Sequence, residues 1–196
     1  MSDIEEYTRR IMQAKAYIDN GLCRVGPGMK AERRLEAVLT GIASRCLALA
    51  DSVVQLCRQD NPNEALPILR QLAQSAADMG WASAEDSDAR AQRLLKERTE
   101  ITWETLWPHE RFRLRAQAAG MSDEDITDIT SRAVDFLAAN AKTAPWSHIF
   151  EENQKEGAAA EFVLRYAARM MGFCLKALDA KWPGSFPGSE AMWEKP

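Results

Sequence analysis

The sequence predicts an all-α fold, a single antiparallel helical bundle of about six to eight helices. Three observations carry this expectation. Apolar residues recur at three- and four-residue spacing in every long segment, the period that gathers them on one face of a helix. Runs that alternate apolar and polar residues, as a half-buried strand would, are missing from the sequence. β-branched residues are sparse beside Ala, Leu, Arg and Glu, which are better helix formers.

The first helix is expected over about Ser2 to Asn20. Ser2 with Glu5 three residues later has the pattern of a capping box. Ile4, Tyr7, Ile11, Ala14 and Ile18 form its apolar stripe, and Asn20-Gly21 is expected to end it. After a loop containing Gly26, Pro27 and Gly28, a long second helix is expected over about Lys30 to Asp60. Its seam is Leu35, Val38, Leu39, Ile42, Cys46, Leu49, Val53 and Leu56, and Asn61-Pro62-Asn63 breaks it. The third helix runs about Glu64 to Trp81, with Pro67 near its start, where a missing N–H costs least. Leu66, Leu69, Leu72, Ala73, Ala76 and Ala77 are its apolar positions.

Ser83 with Asp86 is expected to cap a fourth helix, Ala84 to about Leu106, with a weaker stripe of Ala91, Leu94, Leu95, Ile101 and Trp103. Trp107-Pro108 breaks the chain, and a short helix from His109 to Ala119 ends at Gly120. Ser122 with Asp125 caps the next helix, about Asp123 to Lys142, with Ile126, Ile129, Ala133, Phe136 and Leu137 inward. The last long helix is expected over about Gly157 to Lys181, with Phe162, Leu164, Tyr166, Met170, Phe173, Cys174 and Leu178 among its apolar positions. Residues 1–184 are expected to form one bundle domain. Residues 185–196, with Pro187, Gly188 and Pro196, are expected to form a loosely held C-terminal tail.

Composition narrows the class without naming an activity. The 196 residues carry 25 Lys and Arg against 29 Asp and Glu, a net charge of -4. The charge is uneven: residues 1–120 balance, and the whole deficit lies in residues 121–196. An acidic chain is a poor general binder of nucleic acid, which needs a basic face. No apolar stretch approaches the roughly 20 residues of a bilayer span. The four cysteines form no Cys-x-x-Cys pair and no leader pattern opens the chain, so a reduced cytoplasmic protein is expected.

Catalytic and metal patterns are absent from the sequence. Its two histidines, His109 and His148, lack a Glu three residues before them, so the Glu-x-x-His ligand pair of di-iron bundles is missing. Cys46 and Cys57 share a helix face but stand about 16 Å apart along the axis, and both are read as buried thiols. Gly-x-Ser-x-Gly does not occur, and Gly26-Pro27-Gly28-Met29-Lys30 is a turn rather than a phosphate loop. Helical ribonucleases carry an Arg, then four to six residues, then a His. Here the Arg positions hold Thr102, Trp103 and Glu104, or Ala141, Lys142 and Thr143. No cofactor or metal is expected. Arg111 and Arg115 align on one face of the fifth helix, read as solvated. Six tryptophans, Trp81, Trp103, Trp107, Trp146, Trp182 and Trp193, stand near predicted helix ends or in loops.

The segment Ala65 to Gln74, followed by Asp78-Met79-Gly80-Trp81 and Ala84-Glu85-Asp86, resembles uncharacterised bacterial all-helical families of unknown function. Their helix reads apolar-x-Arg-x-x-x-Glu, then an aromatic residue and an acidic loop. A later helix carries Tyr, Ser and His at four-residue steps. Arg70 and Tyr166 match that pattern; Gln74 stands for the usual Glu, and Met170 and Cys174 for the Ser and His. The resemblance covers residues 30–182 and implies no activity. The preferred expectation is a non-enzymatic interaction protein, homo-oligomeric through its apolar helices. One alternative is a small-molecule-binding bundle with Arg70, Trp81, Trp103 and Tyr166 around an aromatic pocket. Another, by analogy, is a hydrolase of a defence or toxin system.

Overall fold

A computed structural model describes residues 3–30, 33–84, 87–99, 109–131 and 158–193, apart from the side chains at 98, 99, 109, 110 and 158. Among these residues every regular element is helical. The helices are α1 (Asp3–Val25), α2 (Arg34–Arg58), α3 (Leu66–Ser83), α4 (Ser87–Thr99), α5 (His109–Ala118), α6 (described over 123–131) and α7 (Ala158–Lys181). Ser2, Asp86, Ile101, Trp103, Trp107, Ala133, Phe136, Leu137, Trp146 and His148, all used in the sequence reading, lie outside the described residues.

The core forms where the predicted stripes meet. α3 packs against α7, α2 and α5; α1 packs against α7; and α2 also contacts α7 and α4. Ile11, Ala14 and Ile18 of α1, Leu39, Ile42 and Cys46 of α2, and Leu69, Leu72 and Ala76 of α3 are fully or almost fully buried. So are Leu164, Met170, Cys174 and Leu178 of α7. α2 and α7 run antiparallel, with Cys46 against Cys174 midway and Glu36 near Lys181 at one end. By length and composition α2 could cross a membrane; in this fold it packs on α3 and α7.

Several boundaries differ from the expected ones, each for a visible reason. α1 does not stop at Asn20-Gly21 but continues to Val25. Gly21 is there for space: a Cβ would lie 2.1 Å from the Phe186 ring. That ring comes from the segment expected to hang loosely, which instead packs on the bundle. Phe186 and Ser189 are fully buried, and Met192 is nearly so. α2 starts at Arg34 rather than Lys30 and ends at Arg58. The break falls at Asp60, in the left-handed conformation (φ 57°), where the Asn61 N–H returns to the Leu56 carbonyl. Ser83 belongs to α3, and its hydroxyl donates to the Gly80 carbonyl rather than capping α4. Leu95, placed in the α4 stripe, is 44% exposed, while Ala91 and Leu94 face the core.

Other signals hold. Pro67 sits in the first turn of α3. Gly120 (φ 83°) ends α5, with the Met121 N–H on the Ala116 carbonyl. The Ser122–Asp125 box forms: the Asp125 N–H donates to the Ser122 Oγ at 3.1 Å, and the Ser122 hydroxyl donates to Asp125 at 2.8 Å. α5 also carries Arg115, which is buried in an ion pair with Asp78 of α3.

Candidate functional site

Of the four residues expected around one aromatic pocket, Arg70, Trp81 and Tyr166 lie among the described residues, where each makes contacts of its own. Arg70 and Trp81 both lie on α3, but eleven residues apart, about 16 Å along its axis. Arg70 is buried, and burial pulls its guanidinium down to about 10. Tyr166, on α7, donates its hydroxyl to Asp128 of α6 at 2.5 Å. Burial and then that carboxylate push its pKa up, so the phenol is held neutral. Arg165 lies over its ring and Phe162 beside it. Trp103 lies outside the described residues.

Trp81, half-buried at the end of α3, is instead the hub of an arginine cluster. The guanidinium carbons of Arg115, Arg90 and Arg93 lie 4.6, 5.2 and 5.8 Å from its ring centroid. Arg90 also donates to the Trp81 carbonyl at 2.9 Å. Arg115 corrects the expected solvated face of α5. It is buried, 2.7 Å from Asp78 of α3 and in contact with Glu97 of α4. Taking a guanidinium out of water is costly unless its donors are met, and here two carboxylates and an indole meet them. Gln74 completes the shell by donating to Asp78 at 3.0 Å. Burial opposes the charge on Glu97, but the hydrogen bond and positive charge of Arg115 prevail and hold its carboxyl below the ordinary value. This knot ties α3, α4 and α5 together. Its signal in the sequence was Asp78, a lone carboxylate among Ser75, Ala76, Ala77 and Met79, which called for an internal cation.

A second ionic group closes α6 onto α7. Asp125, almost fully buried, accepts from Arg169 at 2.6 Å as well as from Ser122. Among the described residues, no buried side-chain nitrogen or oxygen lacks a partner. Nor does any group of three His, Cys, Asp or Glu side chains suit a metal ion there. Cys46 and Cys174 meet at 3.4 Å between their sulfurs, both fully buried as thiols. Sequence spacing could not reveal that pair, because 128 residues separate its members.

The structure also opens a cleft that sequence reasoning missed. It lies between α2, α4 and α7 and has a volume of about 560 Å³. Arg33, Arg34 and Leu35 form one wall, Asp88, Ala89 and Gln92 of α4 the other, and Lys181 closes the end. Glu36, buried beside it, accepts from Arg33 at 3.0 Å and from the Lys30 N–H at 3.3 Å. Its carboxyl is held below the ordinary value, chiefly by the Arg33 hydrogen bond. The signal available was Arg33-Arg34 next to a helix start. What it lacked was any hint that Lys181, far along the chain, would close the same space.

The fold and these clusters define an all-helical bundle in which the buried carboxylates Glu36, Asp78 and Asp125 each meet an arginine. The chain belongs to the family of unknown function DUF5677, which it matches over residues 36–154. The match includes the whole Trp81 knot and reaches neither Tyr166 nor the Arg33, Arg34 and Lys181 of the cleft. Comparisons with curated proteins and with solved structures give no match.

Proposed function

We propose that this protein is a non-enzymatic helical interaction protein that associates with a second copy of itself through the outer layer formed by α4 and α5. The observation that carries the reading is Leu114 of α5, which is 62% exposed, and Leu95 of α4 is exposed as well. The Trp81 knot fixes these two helices to the core, so the leucines ride on a rigid support. The seams of α2 and α7, which first suggested association, are used inside the chain against α3 and α1. That moves the proposed contact outward. A net charge of only -4 offers little repulsion between copies. An acidic chain with free thiols fits a protein partner in a reducing cytoplasm better than a nucleic acid.

Sedimentation equilibrium tests this reading. The wild-type chain should give twice the 22.0 kDa chain mass, and Leu114→Asp should return it to the monomer without loss of helicity. A wild-type chain that stays monomeric at high concentration would reject it. A dimer insensitive to Leu114→Asp would move the interface elsewhere and reject the proposed face.

A further inference from the structure

We propose that the cleft between α2, α4 and α7 is a binding site for a small phosphorylated molecule, its phosphoryl group held by Arg34 and Lys181. Three cations from two helices and the preceding loop, Arg33, Arg34 and Lys181, converge on one space in a protein that is acidic overall. They are not equivalent. Arg33 and Lys181 face the buried Glu36, at 3.0 and 3.8 Å. That carboxylate fixes their positions and neutralises part of their charge. Arg34 has no ion pair among the described residues, although Asp88 lines the opposite wall of the same cleft. The space between them is therefore wide enough to keep opposite charges apart.

The chemistry of the lining selects the ligand class. Charged groups from separate elements can all be met at once by a tetrahedral dianion with several oxygens, which an arginine fork and a lysine point charge both suit. Asp88 disfavours a second anionic group, so the rest of the ligand is uncharged. Its hydroxyl groups would be read by Asp88 and by Gln92, over the apolar floor of Leu35. A volume of about 560 Å³ lies in the usual range of small-molecule sites, roughly 300–1,000 Å³, and exceeds what a bare phosphate ion needs. A monophosphorylated sugar or polyol fits these terms.

Isothermal titration of the full chain at low ionic strength with ribose 5-phosphate, ribose and citrate tests the assignment. Ribose 5-phosphate should bind, ribose should not, and citrate should bind more weakly. Arg34→Gln should weaken ribose 5-phosphate at least tenfold and Lys181→Gln should weaken it too, with helicity checked for both. Arg113→Gln, an exposed charge near Asp123, should leave it unchanged. No heat with ribose 5-phosphate at millimolar concentration would overturn the proposal. So would equal binding by wild type and Arg34→Gln, the mark of adventitious ion binding only. Citrate binding more tightly than ribose 5-phosphate would overturn the phosphoryl class. None of these outcomes depends on the oligomeric state.

Discussion

On one side of α4, Arg90, Arg93 and Glu97 face Trp81, and the guanidinium of Arg115 is enclosed between Glu97 and Asp78. On the other side, Asp88, Ala89 and Gln92 face Arg33, Arg34 and Lys181 across an open cleft. Both clusters are rich in arginine and both lean on one helix. They differ in closure. The knot spends its charges on each other, as a buried guanidinium must. The cleft spends only part of its charge, on Glu36, and keeps Arg34 in solvent. The count of charged residues does not separate a structural cluster from a binding one. What separates them is whether the partners come from within.

Breaking the knot should have the largest effect. Arg115→Met removes the buried cation that joins Asp78 to Glu97, and should cost about 3–5 kcal/mol in urea unfolding. Trp81→Leu removes the surface on which three guanidinium groups stack and should cost about 1–2 kcal/mol, read from the same transition. Glu97→Gln should cost about 1 kcal/mol at neutral pH, and it sharpens the comparison through pH. The carboxyl of Glu97 is depressed in the folded state, so its contribution is complete above the ordinary glutamate value of about 4.3. It is lost as pH falls through the lower folded value. The gap in stability between wild type and Glu97→Gln should therefore close below pH ~4. A gap that persists in acid would mean that Glu97 stabilises the knot by packing rather than charge.

How legible these regions were follows from the range of the interactions that build them. Local signals were readable. The stripe Ile11, Ala14, Ile18 is buried as its spacing predicts, and Ser122 with Asp125 forms its box. Gly21 misled, because glycine marks a helix end and a close contact equally well, and only the distant Phe186 decides between them. The arginines were harder still. Arg115 looks like its neighbours Arg111 and Arg113 until α3 and α4 bring Asp78 and Glu97 to it. Tyr166 looks like one more apolar position of its helix until α6 brings Asp128 to its hydroxyl. The cleft joins residue 33 to residue 181, and no periodicity reaches that far.

The account rests on the knot being structural and the cleft being free to bind, and equilibrium urea unfolding of Arg115→Met and Arg34→Gln side by side tests this most directly. Arg115→Met should lose several kcal/mol, while Arg34→Gln should stay within about 0.5 kcal/mol of wild type, as an exposed residue outside any internal pair does. Comparable losses in the two variants would contradict the distinction, because Arg34 would then be serving the fold as Arg115 does.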